Sequence, residues 1–209
     1  EEIGFGNGKV NLGTQNLELG EVAREMTAAG IRPKCLYEYS APQTVPLGQD
    51  GDIHFVFSFA CQAAQVEINL ESGEMRVLQA ISANDVGQAV NPLGLKGQIE
   101  GGIIMGMGHA LMEEFVVQEG HVLSDRLARY PIPTIQHTPL IHSIVVEAPI
   151  TSGPYGAKGV GEIVSIPTVP AITNAIYNAI GLRVDHLPVR KADVLGFMKS
   201  QKIASTPKV

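Results

Sequence analysis

Between Leu95 and Phe115 the chain runs through its most apolar long segment, and that segment carries glycine at 97, 101, 102, 106 and 108. The run is too long for an ordinary strand, so it reads as a helix. Each interior glycine opposes a helix by about 1 kcal/mol relative to alanine. Something must therefore approach this helix closely enough to offset the cost: a neighbouring element packed on bare backbone, or a ligand.

A second glycine-rich stretch follows. Gly153 to Gly161 holds four glycines and Pro154, which would be costly in any regular element, and is read as a shaped loop. Consecutive backbone N–H groups in such a loop can converge on an anion or a polar ring. The stretch lacks the Gly-Lys-Ser/Thr of a Walker loop, and GxGxxG occurs nowhere in the chain, which disfavours ordinary nucleotide binding. Glu162 closes the loop beside Ile163, Val164 and Ile166. An apolar setting would desolvate its carboxylate, raise its pKa and fit it for general-base work. The alternative is a surface glutamate favoured by a helix dipole.

Around these two stretches the reading is α+β, with mostly antiparallel strands and packed helices. Gly6-Asn7-Gly8 predicts an opening hairpin. Leu19, Val22, Ala23 and Met26 share one face of a short helix that Gly30 can stop. Strands are expected over 54–69 and 75–84 across Glu71-Ser72-Gly73-Glu74, short strands over 116–150, and a last strand from Arg183 to Val189. Val169, Ile172, Ile176 and Ala179 predict a helix ending at Gly181, and a final helix is expected from Lys191 to Met198. One domain is drawn over 1–199, with a flexible tail over 200–209.

Bulk properties narrow the partners. With 15 basic and 21 acidic residues the net charge is -6, so nucleic acid and anionic membrane surfaces are poor partners. No apolar run is expected to reach the length of a membrane span, and a cytoplasmic location is expected. Cys35 and Cys61 cannot complete a metal cage and read as reduced, buried thiols. The six histidines show no HExxH spacing, so no protein metal ligands are assigned. The chain opens on Glu1 rather than Met, which is expected of either a processed piece or a fragment.

Four blocks then carry a resemblance. Gly97-Gln98-Ile99-Glu100-Gly101-Gly102, running through Met105-Gly106-Met107-Gly108-His109-Ala110-Leu111 to Glu113-Glu114, resembles the GQxEGG...GxGxALxEE signature of the molybdopterin-binding large subunit of xanthine dehydrogenases and aldehyde oxidases. Gly153 to Glu162 is similar to that family's GPxGAKGxGE segment, and Asn84 to Pro92 and Tyr130 to Thr134 fit the same order. The fold implied is the second molybdopterin-binding domain of that large subunit.

The resemblance implies a molybdenum–molybdopterin cofactor, often the cytosine dinucleotide form in bacteria. Gln98 would hydrogen-bond the pterin, and the backbone of Lys158, Gly159, Val160 and Gly161 would approach its metal end. Glu162 would remove the proton from a Mo–OH group as its oxygen attacks an electron-poor carbon and hydride passes to a sulfido ligand. The substrate would be a purine, which is preferred, another N-heterocycle or an aldehyde. The 2Fe-2S and FAD centres would sit on other segments or subunits, beside the upstream part of the large subunit and with a second copy of the chain as a further candidate partner. Two positions depart from the pattern: Met105 stands where a glutamine is usual, and Ile163-Val164 replaces a proline pair. The non-enzymatic alternative is an isolated C-terminal domain with a structural or assembly role.

Overall fold

A computed structural model describes residues 3–34, 36 and 38–205, with side chains as far as 201. The chain divides into two compact units, residues 1–40 and 41–209, rather than the single domain expected over 1–199. In the first, β1 (Ile3–Gly6), β2 (Lys9–Leu12) and β3 (Gln15–Glu18) form an antiparallel meander. Asn7 and Gly8 turn the first hairpin with φ of 50° and 74°, the left-handed pair that two-residue hairpins require. Helix α1 (Leu19–Ala28) follows, and Gly30 takes φ 74° beyond its end.

In the second unit, β4 (Ala60–Ile68) pairs antiparallel with β5 (Met75–Asp85). The small hairpin β6 (Val117–Gln118) and β7 (His121–Val122) intervenes before β8 (Leu140–Val146), which lies parallel to β5 on its other side. Across one face of this three-stranded sheet lie α2 (Pro92–Leu111) and α3 (Thr168–Ile180). Asn91 caps α2 by accepting the Gly94 amide at 2.9 Å, with Pro92 in the first turn where its missing donor is harmless. Gly181 ends α3 at φ 81°.

The core has two parts along α2. Met107 and Ala110 pack with Val77, Ile172, Ile176 and Val189; Ile99 and Ile103 pack with Ala80 and Val164. The glycines separate into two classes. A Cβ on Gly102 would lie 2.1 Å from Val164 Cγ2, and one on Gly106 would lie 2.5 Å from Thr168 Cβ. These positions are glycine because another element sits against the helix backbone. A Cβ on Gly97 or Gly101 would meet nothing within 4 Å.

Four expectations are corrected. Arg183–Val189 is not a strand: Pro188 offers no donor, and the Val189 amide bonds the Ala110 carbonyl near the end of α2 at 2.8 Å. Helix α4 (Lys191–Ser205) runs past Met198 into the segment drawn as a tail, since no glycine or proline stops it there; 206–209 lie outside the described residues. Cys61 is exposed, because it projects from the face of β4 opposite Ala60, Gln62 and Ala64; Cys35 lies outside the described residues. Residues Glu162–Ile180 are long and apolar enough by composition to cross a bilayer. In this fold they form a short turn and then α3, with Val164, Thr168, Ile172 and Ile176 buried in the core.

Two adjacent glycines of α2 should respond oppositely to alanine. Gly101→Ala should stabilise the chain by about 0.5–1 kcal/mol by restricting the unfolded state, whereas Gly102→Ala should destabilise it by about 1–3 kcal/mol through overpacking on Val164. Urea unfolding of both variants checks the pair, and shifts of the same sign would contradict this packing.

Candidate functional site

Val164 fills the notch above Gly102 and is 1% exposed. It ends a 3-10 turn, Glu162–Val164. Successive side chains in such a turn diverge by about 120°. Val164 therefore points into the core while Glu162 leaves it. Gln62 of β4 fixes the turn from the sheet side: its Nε2 donates to the Val164 carbonyl at 2.6 Å and to Ser82 Oγ at 3.0 Å, and its Oε1 accepts from Thr168 Oγ1 at 2.7 Å. Ser82 is buried and also accepts from Asn84 Nδ2 at 2.8 Å. A polar network of this kind holds one geometry because each member would be costly to leave unpaired.

The loop upstream of Glu162 is docked on the end of β5. The Lys158 amide donates to the Val86 carbonyl at 2.9 Å, the Gln88 amide donates to the Gly156 carbonyl at 3.0 Å, and Gly87 bridges to Ala157. Gly87 must be glycine: its φ is 66°, and a Cβ would fall 2.3 Å from the Gly156 carbonyl oxygen. Lys158 Nζ donates to Asp85 Oδ2 at 2.5 Å, with 7% and 11% of the two side chains exposed, and Asp85 Oδ1 accepts the Gly87 amide at 3.1 Å. Burial pushes the Asp85 carboxyl up. The Lys158 hydrogen bond, the Gly87 amide and the Lys158 charge outweigh it and hold Asp85 below the ordinary carboxylate value.

Gln98 and Glu162, remote in sequence, line one cavity of about 390 Å³ together with Gly97, Gly101, Met105 and Gly161. Lys158, Gly159 and Val160 do not line it. The Lys158 side chain turns to Asp85, Val160 packs toward Ile99, Ile103 and Val164, and Gly159 is exposed. Glu162 is exposed, contrary to the expectation of a desolvated carboxylate: Ile163 and Val164 pack into the core away from it, and Ile166 is itself exposed. Sequence reasoning missed Gln62 and Asp85, and it did not separate Gly97 and Gly101 from the packing glycines. The only sequence cue to Asp85 was its place in the Asn84–Pro92 block. A larger cavity of about 550 Å³ lies near Met107 and Leu111, where two of the three lining cations, Arg190 and Lys191, are paired with Glu114 and Glu74.

This geometry, an uncluttered glycine wall with an amide and a carboxylate at its edge, meets a family match. Residues 1–139, which include all of α2, match the model of the molybdopterin cofactor-binding domain. The chain belongs to that family. It is 37% identical over 142 residues to a probable xanthine dehydrogenase component of Bacillus subtilis, covering 68% of this chain and 19% of the relative. It is 32% identical over 193 residues to the molybdenum-binding subunit of an Escherichia coli aldehyde oxidoreductase, covering 90% of this chain and 25% of that protein. The solved aldehyde oxidoreductase of Desulfovibrio desulfuricans superimposes with a TM-score of 0.68 at 32% identity, over 83% of this chain and 19% of that one. The chain thus spans a quarter or less of the length of these relatives. Within the cofactor-binding fold, Met105 places a thioether on the cavity wall where the resemblance has a glutamine.

The Asp85–Lys158 pair gives the domain a pH signature. A carboxyl whose folded value is depressed contributes stability above its unfolded value, near pH 3.9, and loses it as pH falls through the folded value. Wild type should be more stable than Asp85→Asn at pH 7, and the gap should shrink as pH drops below about 4. Urea midpoints of both proteins across that range check this; a gap independent of pH would contradict it.

Proposed function

We propose that this chain supplies one wall and the general base of the cofactor pocket in a larger molybdenum hydroxylase. The substrate is a small molecule with an electron-poor carbon, a purine-like N-heterocycle in the first instance and an aldehyde in the second. One observation carries the reading: Gln98 and Glu162 line a single cavity whose glycines at 97 and 101 leave room that no described residue fills.

The residues present fit one side of a flat, polar-edged ring. Side chains at 97, 101 or 161 would each project into open space, so their absence leaves backbone that a ring system can approach to van der Waals distance. The Gln98 amide can donate and accept along the pterin edge. When bound, the molybdenum–pterin group supplies the two-electron redox centre and the site of oxygen transfer to carbon. Glu162 accepts the proton released in that transfer at a carboxylate oxygen, a role that requires a dry pocket and one hydrogen bond's reach. Its exposure here fits a pocket whose opposite wall is supplied by another segment or subunit. Iron–sulfur and flavin centres for the outgoing electrons are assigned to such partners as well.

The outer face of the sheet supports a partnered protein. Ile81, Leu140, Ile144 and Val146 are 38–61% exposed on one face of β5 and β8, an apolar surface of the kind that marks an interface. A cofactor gripped by several segments loses most of its affinity when one stands alone, because the remaining contacts must bear the whole ordering cost. The 209-residue chain by itself is therefore expected to bind no stoichiometric molybdenum and to turn over no purine or aldehyde.

In the complete enzyme, Glu162→Gln should lower turnover by at least about 100-fold while molybdenum and pterin content stay at the wild-type level. Turnover assays with xanthine and with an aromatic aldehyde, normalised to bound molybdenum, check this. Near-normal rates would remove Glu162 from the chemistry, and stoichiometric molybdenum on the isolated chain would refute the shared pocket.

A further inference from the structure

We propose that Asp85 and Lys158 form a positioning pair, anchoring the run Gly159–Gly161 so that Glu162 stands at the α2 wall of the cavity. The inference rests on the reading of Glu162 as the base for its consequence in catalysis, but its structural content concerns this chain alone.

Glu162 is held from two sides. Downstream, Val164 is seated over Gly102 and its carbonyl is taken by Gln62. Upstream, between Lys158 and Glu162, a Cβ built on either Gly159 or Gly161 would touch nothing within 4 Å. These two glycines give the run wide backbone freedom, and no backbone hydrogen bond among the described residues involves 159–161. Val160 gives only non-directional apolar packing against the core cluster of Ala80, Ile99, Ile103 and Val164. The upstream geometry therefore depends on Lys158, the last residue before the free run with a fixed partner.

The pairing is built for direction rather than for net stability. Two apolar side chains of similar volume would serve burial as well or better, because a buried ion pair must first recover the desolvation of both charges. A short charge-assisted bond instead specifies where the loop sits relative to the end of β5. Both Asp85 oxygens are engaged, one by Lys158 and one by the Gly87 amide, so the carboxylate is itself oriented by the turn on which the loop docks. Lys158 thereby acts through Glu162 as a positioning residue, and its ammonium does not enter the cavity.

The test measures amide hydrogen exchange in the 209-residue chain for wild type, Lys158→Met, Asp85→Asn and Lys158→Arg. Lys158→Met and Asp85→Asn should speed exchange at the two amides that dock the loop, those of residue 158 and Gln88, which donate to the Val86 and Gly156 carbonyls, by at least about 10-fold relative to the amides of α3 and β5, and Lys158→Arg should restore most of the protection. The asparagine variant keeps the shape of Asp85 and serves if the methionine variant fails to fold. Loop exchange that is unchanged, or that rises only in step with the whole molecule, would overturn the proposal. In the complete enzyme the same methionine variant should lose at least about 10-fold in kcat per bound molybdenum, with KM moved less than kcat. Unchanged kcat there, alongside an inactive Glu162→Gln enzyme, would also overturn the positioning role. An active Glu162→Gln enzyme would instead count against the base assignment and leave the exchange result to decide the pair.

Discussion

At Gly102 the main chain of α2 meets the Glu162–Val164 turn with only the Val164 side chain between them, and the rest of the site follows from that approach. With Val164 seated in the notch, the turn's geometry sends Glu162 the other way, to the edge of the surface that Gln98, Gly97 and Gly101 share. Gly106 repeats the arrangement one turn later against Thr168, where α3 begins and where Gln62 takes hold from the sheet. Burying Val164, Ile99 and Ile103 at about 1.5–3 kcal/mol each offsets the roughly 1 kcal/mol that Gly102 and Gly106 each cost the helix. A helix that propensity disfavours is thus stabilised by the contact those glycines permit.

One helix performs two tasks on two faces. Gly106 and Met107 are buried in the core, Gly97, Gln98 and Gly101 line the cavity, and Gly102, packed on Val164, lies where the two meet. A shift of the packing face would move the cavity wall with it, so cavity geometry and domain stability are coupled through α2. The family relationship gives the open cavity its context. The matched relatives are four or more times the length aligned here, and a pocket bounded on one side suits a surface that others complete.

Local features were legible in the sequence because they are set by local backbone demands. Asn7-Gly8 turns where positive φ is needed, Gly181 stops α3, and the apolar alternation around Ala64 and Val66 marks the covered face of β4. Long-range partners were not. Nothing in the pattern around Lys158 tells that its side chain lies against Asp85, or that Gln62 reaches the Val164 carbonyl. Glycine composition alone could not divide the packing glycines from the free ones, since only the neighbour decides. The segment Arg183–Val189 has strand-like composition, yet it lies near the end of α2, where the Ala110 carbonyl takes its donor.

The notch between Gly102 and Val164 can be tested by a double-mutant cycle. Val164→Ala removes the Cγ2 atom that lies 2.1 Å from a carbon added at Gly102, so the two substitutions together should destabilise the chain by clearly less than the sum of each alone. A favourable coupling of about 1 kcal/mol or more in urea unfolding is the predicted result. Additive losses would mean that α2 and the Glu162 turn do not meet at that point, and the shared cavity would lose its foundation.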